Sequence, residues 1–166
     1  MRLLWVSHRA ELGGAELALV EGVKVLAQRG HDIHVVMPME GPLRDRLAPW
    51  SEVHVLPHNP WVGQPVSPPT LMRWAAYNLL RSIPELLRLA QRTRPDLIAT
   101  NTITAPIGGF AARRARIPHV WFVREFGSRH HGMRYFMGRR PTFFAMQHTS
   151  ELVVVTSEAL RRWCAS

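Results

Sequence analysis

The stretch Arg2-Leu-Leu-Trp-Val-Ser7, a seven-residue loop His8 to Gly14, and then Ala15-Glu-Leu-Ala-Leu-Val-Glu-Gly-Val-Lys-Val-Leu-Ala27 decides the fold class. Leu3, Leu4, Trp5 and Val6 run without alternation, as in a strand buried on both faces. Leu17, Val20, Val23, Leu26 and Ala27 repeat at helical spacing, and Gly30 is placed to end that helix in a left-handed cap. Ile33 to Met37 is then a second apolar strand, stopped by Pro38. A buried strand, a helix and another buried strand make a parallel unit.

The alternation continues outward. Leu43 to Leu47 forms a short helix and Val53 to Leu56 a third strand. His58 to Pro69 is a break, with Pro57, Pro60, Pro65, Pro68 and Pro69 in or beside it. Leu71, Trp74, Ala75, Asn78, Leu79, Ile83, Leu86, Leu87 and Ala90 follow helical spacing, and Pro84 is expected to kink that helix or split it. Asp96 to Thr100 is a fourth strand, Ala105 to Arg116 a small-residue helix with Gly108 and Gly109, and His119 to Val123 a fifth strand. Arg129 to His148 is basic, aromatic and partly helical. Leu152 to Val155 is a sixth strand, and Ser157 starts a last helix from Glu158. The whole predicts one α/β domain, Rossmann-like, with a mostly parallel sheet of about six strands and helices on both faces. The pattern stops a turn or two into the last helix with no capping signal, so the chain is expected to continue past residue 166.

Composition bounds the function. Of 166 residues, 46% are hydrophobic and 20% charged, which suits one packed core and excludes disorder. Cys164 is the one cysteine, which excludes a disulfide framework and fits a reducing cytoplasm. No run reaches the about 18 apolar residues of a membrane span, and Leu3 to Val6 is too short for a signal-peptide core. Twenty-one basic residues against 12 acidic give a net charge of +9, almost all from arginine. Such a surface suits phosphates, nucleic acid or an anionic membrane, and arginine-rich codon usage explains it as well. No nucleic-acid signature accompanies the charge, so no nucleic-acid partner is expected.

In open parallel sheets ligands bind beyond the carboxyl ends of strands, so residues just after a strand are the site candidates. Gly13 and Gly14, with Glu16, stand where the first strand meets the first helix. Two roles are open to the glycines: close backbone approach of a diphosphate to a helix start, or a tight turn needing positive φ. Arg124 and Glu125 follow the fifth strand. Arg124 can grip a phosphate or carboxylate, and Glu125 can act as a base or bond a sugar hydroxyl; alternatively the two pair with each other. Asn101 and Thr102, with Thr104 behind, follow the fourth strand and can bond hydroxyls or cap the next helix. Ser157 carries the same ambiguity. Nine histidines include His31, His34, His130 and His131, but none shows ligand spacing along the chain, so no metal site is expected. Ser7-His8 is no catalytic pair, and no Gly-x-Ser-x-Gly elbow occurs.

Taken in order, Leu3-Leu-Trp-Val-Ser7 leading to Gly13-Gly-Ala-Glu16, Leu26-Ala-Gln-Arg-Gly-His-Asp-Ile-His-Val-Val36, Pro95-Asp-Leu-Ile-Ala-Thr-Asn101, Ile117-Pro-His-Val-Trp-Phe-Val-Arg-Glu-Phe126 and Leu152-Val-Val-Val-Thr-Ser-Glu-Ala-Leu160 resemble the N-terminal half of a GT-B glycosyltransferase of the retaining family-four type. The resemblance implies an acceptor-side domain, a C-terminal donor domain outside this chain, a nucleotide-diphospho-sugar donor and no metal or other cofactor. It sets Gly13 and Gly14 at the donor diphosphate. Arg124-Glu125 matches a position where many members carry a histidine beside an acid, so the usual contact is altered here. A sugar, glycan or lipid-linked acceptor is implied. Two other classes remain open: a non-catalytic basic binding domain, and another nucleotide-binding Rossmann enzyme, against which the missing Gly-x-Gly-x-x-Gly counts. Arg129 to Arg140 mixes cations with Tyr135, Phe136 and Met137; Phe143 and Phe144 follow, and the long helix carries Arg73, Arg81, Arg88 and Arg92. Peripheral contact with the inner face of a membrane is one reading of this pattern, and ordinary core packing the other.

Overall fold

The computed structural model describes residues 1–125 and 132–165. Its centre is a six-stranded sheet in the order β3-β2-β1-β5-β6-β8, built from β1 (Arg2–Val6), β2 (Asp32–Met37), β3 (Glu52–Val55), β5 (Leu97–Asn101), β6 (His119–Val123) and β8 (Leu152–Val155). Every pairing in it is parallel. The alternating strand and helix pattern therefore gives the Rossmann-like fold it predicts, with strand limits moved by one residue in β1, β2, β3 and β5.

Alternation along each strand feeds two cores. On one face Trp5, Ile33, Val35 and Met37 meet Leu19 and Val23 of α1 (Gly14–Gln28). On the other, Leu4, Val6, Val36 and Ile98 meet Leu86 and Leu89 of α4 (Ile83–Thr93) and Ile107 and Ala111 of α5 (Ile107–Ala115). Each such Leu, Ile or Val, fully buried, contributes about 1.5–3 kcal/mol relative to exposure. The glycines of α5 let it lie close on the sheet: a Cβ on Gly108 would stand 2.1 Å from Thr100 Oγ1, and one on Gly109 2.9 Å from the Trp121 ring.

The end of α1 bears out the expected cap. Gly30 has φ +81°, its N–H donates to Ala27 O at 2.9 Å and that of His31 to Leu26 O at 3.1 Å, a Schellman closure. Pro84 does split its helix. It has no N–H for the carbonyl four residues back, and the chain widens into a π-helical turn over Asn78–Ser82 between α3 (Pro68–Tyr77) and α4. Asn78 lies on the inner side for a polar reason: its side chain donates to Asn59 O and accepts from Asn59 N–H, while Ser82 donates to Pro57 O. These bonds anchor the proline-rich segment.

That segment also forms a strand pair the sequence does not announce. β4 (Val62–Gly63) runs antiparallel to β7 (Arg134–Tyr135). Trp61, just before β4, donates its indole N–H to Ile103 O at 2.7 Å and stacks on Trp121 at 5.6 Å, fixing the pair beside the carboxyl edge of the sheet. The expected helix within Arg129 to His148 is α6 (Arg139–Thr149), while Phe126 to His131 lie outside the described residues. The aromatic stretch is not swallowed by the core: Tyr135, Phe136 and Phe143 are half-buried, and Phe144 and Met137 are 62% and 51% exposed.

Candidate functional site at the carboxyl edge of the sheet

Beyond the ends of β1, β5 and β6 lies an open cavity of about 670 Å³ whose wall includes Gly14, Arg9, Thr102, Arg124 and Glu125. Gly13 is the N-cap residue of α1, so no side chain closes that helix, and Gly14 and Ala15, which carry its first N–H groups, line the cavity. Gly13 is extended, φ −142°, and neither glycine has positive φ. The tight-turn role therefore falls away. A Cβ on Gly14 would meet nothing within 4 Å, so the space over that backbone is open.

Glu16 sits in the first turn of α1, fully buried. Its carboxylate accepts from Arg9 Nε and Nη2 at 2.9 and 2.8 Å, and His8 Nδ1 stands 3.2 Å from its other oxygen. Glu16 thus addresses the cavity through Arg9 and His8, holding the guanidinium against the helix start. His8 is pushed down to about 4 by burial, with the Arg9 and His58 charges adding to it, so it faces the cleft as a neutral imidazole.

Arg124 and Glu125 do not pair with each other. Arg124 Nε donates to Asn101 Oδ1 at 2.9 Å, and Asn101 Nδ2 donates to Ala15 O at 3.1 Å. Asn101, fully buried, so ties the guanidinium to the first turn of α1. Glu125 accepts the Ile103 N–H at 3.0 Å. Burial raises its carboxyl above the ordinary value, with Glu16 adding repulsion and backbone N–H groups opposing. Thr102 holds φ +73° although β-branched, a strained backbone. Its hydroxyl bonds the Thr104 hydroxyl at 2.9 Å.

Asn101 and Thr102 do not cap the next helix. α5 begins at Ile107 with Pro106 before it, so the polar pair turns to the site instead. Ser157 does cap: its hydroxyl accepts the Leu160 N–H at 3.1 Å at the start of α7 (Glu158–Ala165), and its neighbour Thr156 is the residue that lines the cavity. Reasoning from the sequence misses Arg9, Gln64 and Met133, which reach the cavity from loops and from the strap around β4 and β7. The acid at position 16, seven residues from Arg9 on a helix start, is the one signal that marks Arg9.

The histidines also include a grouping that chain spacing does not show. Their spacing along the chain shows no ligand set, but the sheet brings His34, Glu52 and His54 together across β2 and β3, with ligand atoms within 4.8 Å of one another. Ligands drawn from two strands leave no spacing to read.

The family model of Glycosyltransferase Family 4 matches residues 12–166. No curated protein matches in sequence. Among solved structures, Anabaena HepE in complex with UDP-glucose superposes with a TM-score of 0.74 at 22% identity, over 99% of this chain and 40% of that one. MurG of Acinetobacter baumannii gives 0.62 at 16% identity, over 94% and 41%. The UDP-GlcNAc 2-epimerase of Neisseria meningitidis gives 0.61 at 14% identity, over 99% and 42%. The chain thus spans about two fifths of each of these proteins. An epimerase among them shows that the fold alone does not choose the chemistry. With the whole cleft inside the matched span except His8, Arg9 and their strand, this chain is a glycosyltransferase domain and belongs to Glycosyltransferase Family 4.

Proposed function

We propose that this domain is the acceptor-side half of an enzyme that moves a sugar from a nucleotide-diphospho-sugar to an acceptor hydroxyl, the donor being held by a second domain that follows residue 166. The observation that carries the proposal is the uncapped start of α1 under open space at Gly14, with Arg124 tied to the same turn through Asn101. In the reaction the acceptor oxygen bonds the sugar C1 and the C1–oxygen bond to the diphosphate breaks. The leaving diphosphate gains charge, which the N–H groups of Gly14 and Ala15 and the Arg124 guanidinium meet with donors already in place. Glu125 accepts the hydrogen bond of the reacting hydroxyl and takes its proton. No cofactor takes part in these steps. HepE, in complex with UDP-glucose, shows what a relative in fold binds, and supports this donor class.

The acceptor carries an apolar part. Beside the cleft, separated from it by the β4–β7 strap, runs a groove of about 400 Å³ walled by Trp61, Leu71, Trp74, Phe110, Phe136 and Met137. Its outer rim, α3, buries none of its residues. A polar head in the cleft and a chain in the groove describe a lipid-linked acceptor, with the domain peripheral to the cytoplasmic face of a membrane, where the free thiol of Cys164 is at home.

The test uses the full-length protein and a panel of nucleotide-diphospho-sugars, read by transfer and by hydrolysis. One donor class is expected to turn over, and Arg124→Ala to lower turnover by about a hundredfold. Absence of turnover and binding with every donor, or an unaffected Arg124→Ala, overturns the proposal. Residues 1–166 alone are expected to transfer nothing.

A further inference from the structure

The parallel register sets His34 opposite Glu52, and Val36 opposite His54. Residues two apart on a strand share a face, so Glu52 and His54 of β3 stand together above His34 of β2. His34 Nδ1 is 3.1 Å from His54 Nε2 and 3.5 Å from Glu52 Oε2, and His54 Nε2 is 3.7 Å from Glu52 Oε1. Zinc bonds nitrogen and oxygen at about 2.0–2.1 Å, which puts the ligands of a tetrahedral site about 3.3–3.5 Å apart. The two nitrogens lie just inside that value, each has one Glu52 oxygen near it, and one ligand atom from each residue lies within 4.8 Å of the others. Behind the cluster, His34 Nε2 faces Asp32 Oδ1 at 3.6 Å. A carboxylate behind a ligating imidazole is the arrangement that fixes which ring nitrogen meets the metal. Asp32 is itself held by Arg2 Nε at 2.5 Å.

We propose that His34, His54 and Glu52 bind a borderline divalent cation of the zinc type, with water completing the tetrahedron. Two imidazoles and a carboxylate suit zinc and its neighbours rather than calcium or magnesium, which take oxygen ligands. His34 is almost fully buried, His54 largely so, and Glu52 is two-thirds exposed, so the ion enters over the glutamate. The cluster opens on a cavity of about 540 Å³ under α4, which the exposed Arg92 also lines. Asp32 and Glu52 open β2 and β3, so the site lies toward the end of the sheet opposite the cleft. β3 is an edge strand of that sheet. The ion therefore ties an edge strand to its neighbour and stands apart from sugar transfer.

Without an ion the same contact is a hydrogen bond between two imidazoles, and the experiment separates the two. Full-length protein stripped with a chelator is titrated with zinc by calorimetry, and with cobalt by visible absorption. One equivalent is expected to bind at micromolar concentration, to raise the thermal midpoint, and to give the intense bands of four-coordinate cobalt. His54→Gln and Glu52→Gln, both on the exposed side of the pair, are each expected to weaken zinc binding by about tenfold or more and to remove those bands. His148→Gln, on the surface of α6, should change neither. No binding at 100-fold higher zinc, or binding indifferent to His54→Gln and Glu52→Gln, overturns the site and leaves a hydrogen-bonded pair only.

Discussion

Two neighbouring regions depart from the usual distribution of polar and apolar groups, in opposite senses. At the ends of β5 and β6 the molecule buries polar side chains: Asn101, Thr102 and Thr104 are almost wholly covered. Across the β4–β7 strap it exposes apolar ones: Met72, Leu79 and Leu80 are 66–74% accessible. Burying a polar group costs free energy unless it is bonded, and exposed apolar clusters forgo the gain of burial. The first region recovers its cost through the bonds of Asn101 and the threonine pair. The second recovers little among the described residues. Polar groups held in place suit chemistry, and apolar groups left outside suit a partner.

The largest effect is expected on the polar side. Gly14→Leu puts a side chain into open space, so the thermal midpoint should barely move. The same side chain stands where the diphosphate approaches, and turnover of the full-length enzyme should fall by about a hundredfold or more. A folded variant with unchanged kinetics would reduce the cleft to a structural feature. Asn101→Ala removes the link between Arg124 and α1. It leaves Arg124 Nε and Ala15 O short of partners, so stability should fall by about 1–3 kcal/mol, and kcat should fall more than KM rises, because Arg124 loses its aim rather than its charge. A KM effect alone would make Asn101 a binding contact.

How far the sequence shows these two regions differs for a physical reason. The sheet is legible because buried parallel strands must be apolar runs, and Gly30 because few other residues hold φ +81°. Gly13, Gly14, Arg124 and Glu125 are legible from position alone, since a residue after a parallel strand stands at the ligand edge. Arg9, the β4–β7 strap and the His34–Glu52–His54 cluster are not. Each depends on segments far apart in the chain, and two-residue strands carry no period to detect. The polar stripe of Asn78 and Ser82 is hidden within an apolar one, because its reason, the carbonyls of Pro57 and Asn59, lies about twenty residues upstream.

A pH profile sharpens the polar side further. Glu125 has its carboxyl raised, chiefly by burial. If it works as the anion, kcat/KM should climb with pH through a value above that of an ordinary glutamate, and Glu125→Gln should lose both rate and that acid limb. The sign for stability is opposite: ionising a carboxyl whose folded pKa is raised disfavours the folded state, so Glu125→Gln should gain relative stability as pH rises above about 4.5. His8 and His119, each lowered to about 4 by burial, add a separate loss of stability as pH falls from 6.5 towards 4.

The smallest effect on the protein itself is expected on the apolar side, and there it is most telling. Met72, Leu79 and Leu80 carry little packing, so replacing all three by glutamine should shift stability by less than about 0.5 kcal/mol each. Arg73 and Arg81 are exposed among them. Cations beside large apolar side chains bind an anionic bilayer through two terms, insertion and surface charge. The full-length protein should therefore sediment with anionic vesicles and much less with neutral ones, and added salt should weaken it. The triple glutamine variant should lose sedimentation while keeping its thermal midpoint, and Arg73→Gln with Arg81→Gln should lose the preference for anionic lipid. Equal binding to neutral and anionic vesicles would remove the charge term. No binding to either would leave the exposed apolar face of α3 to a protein surface, and the groove beside it to a soluble acceptor.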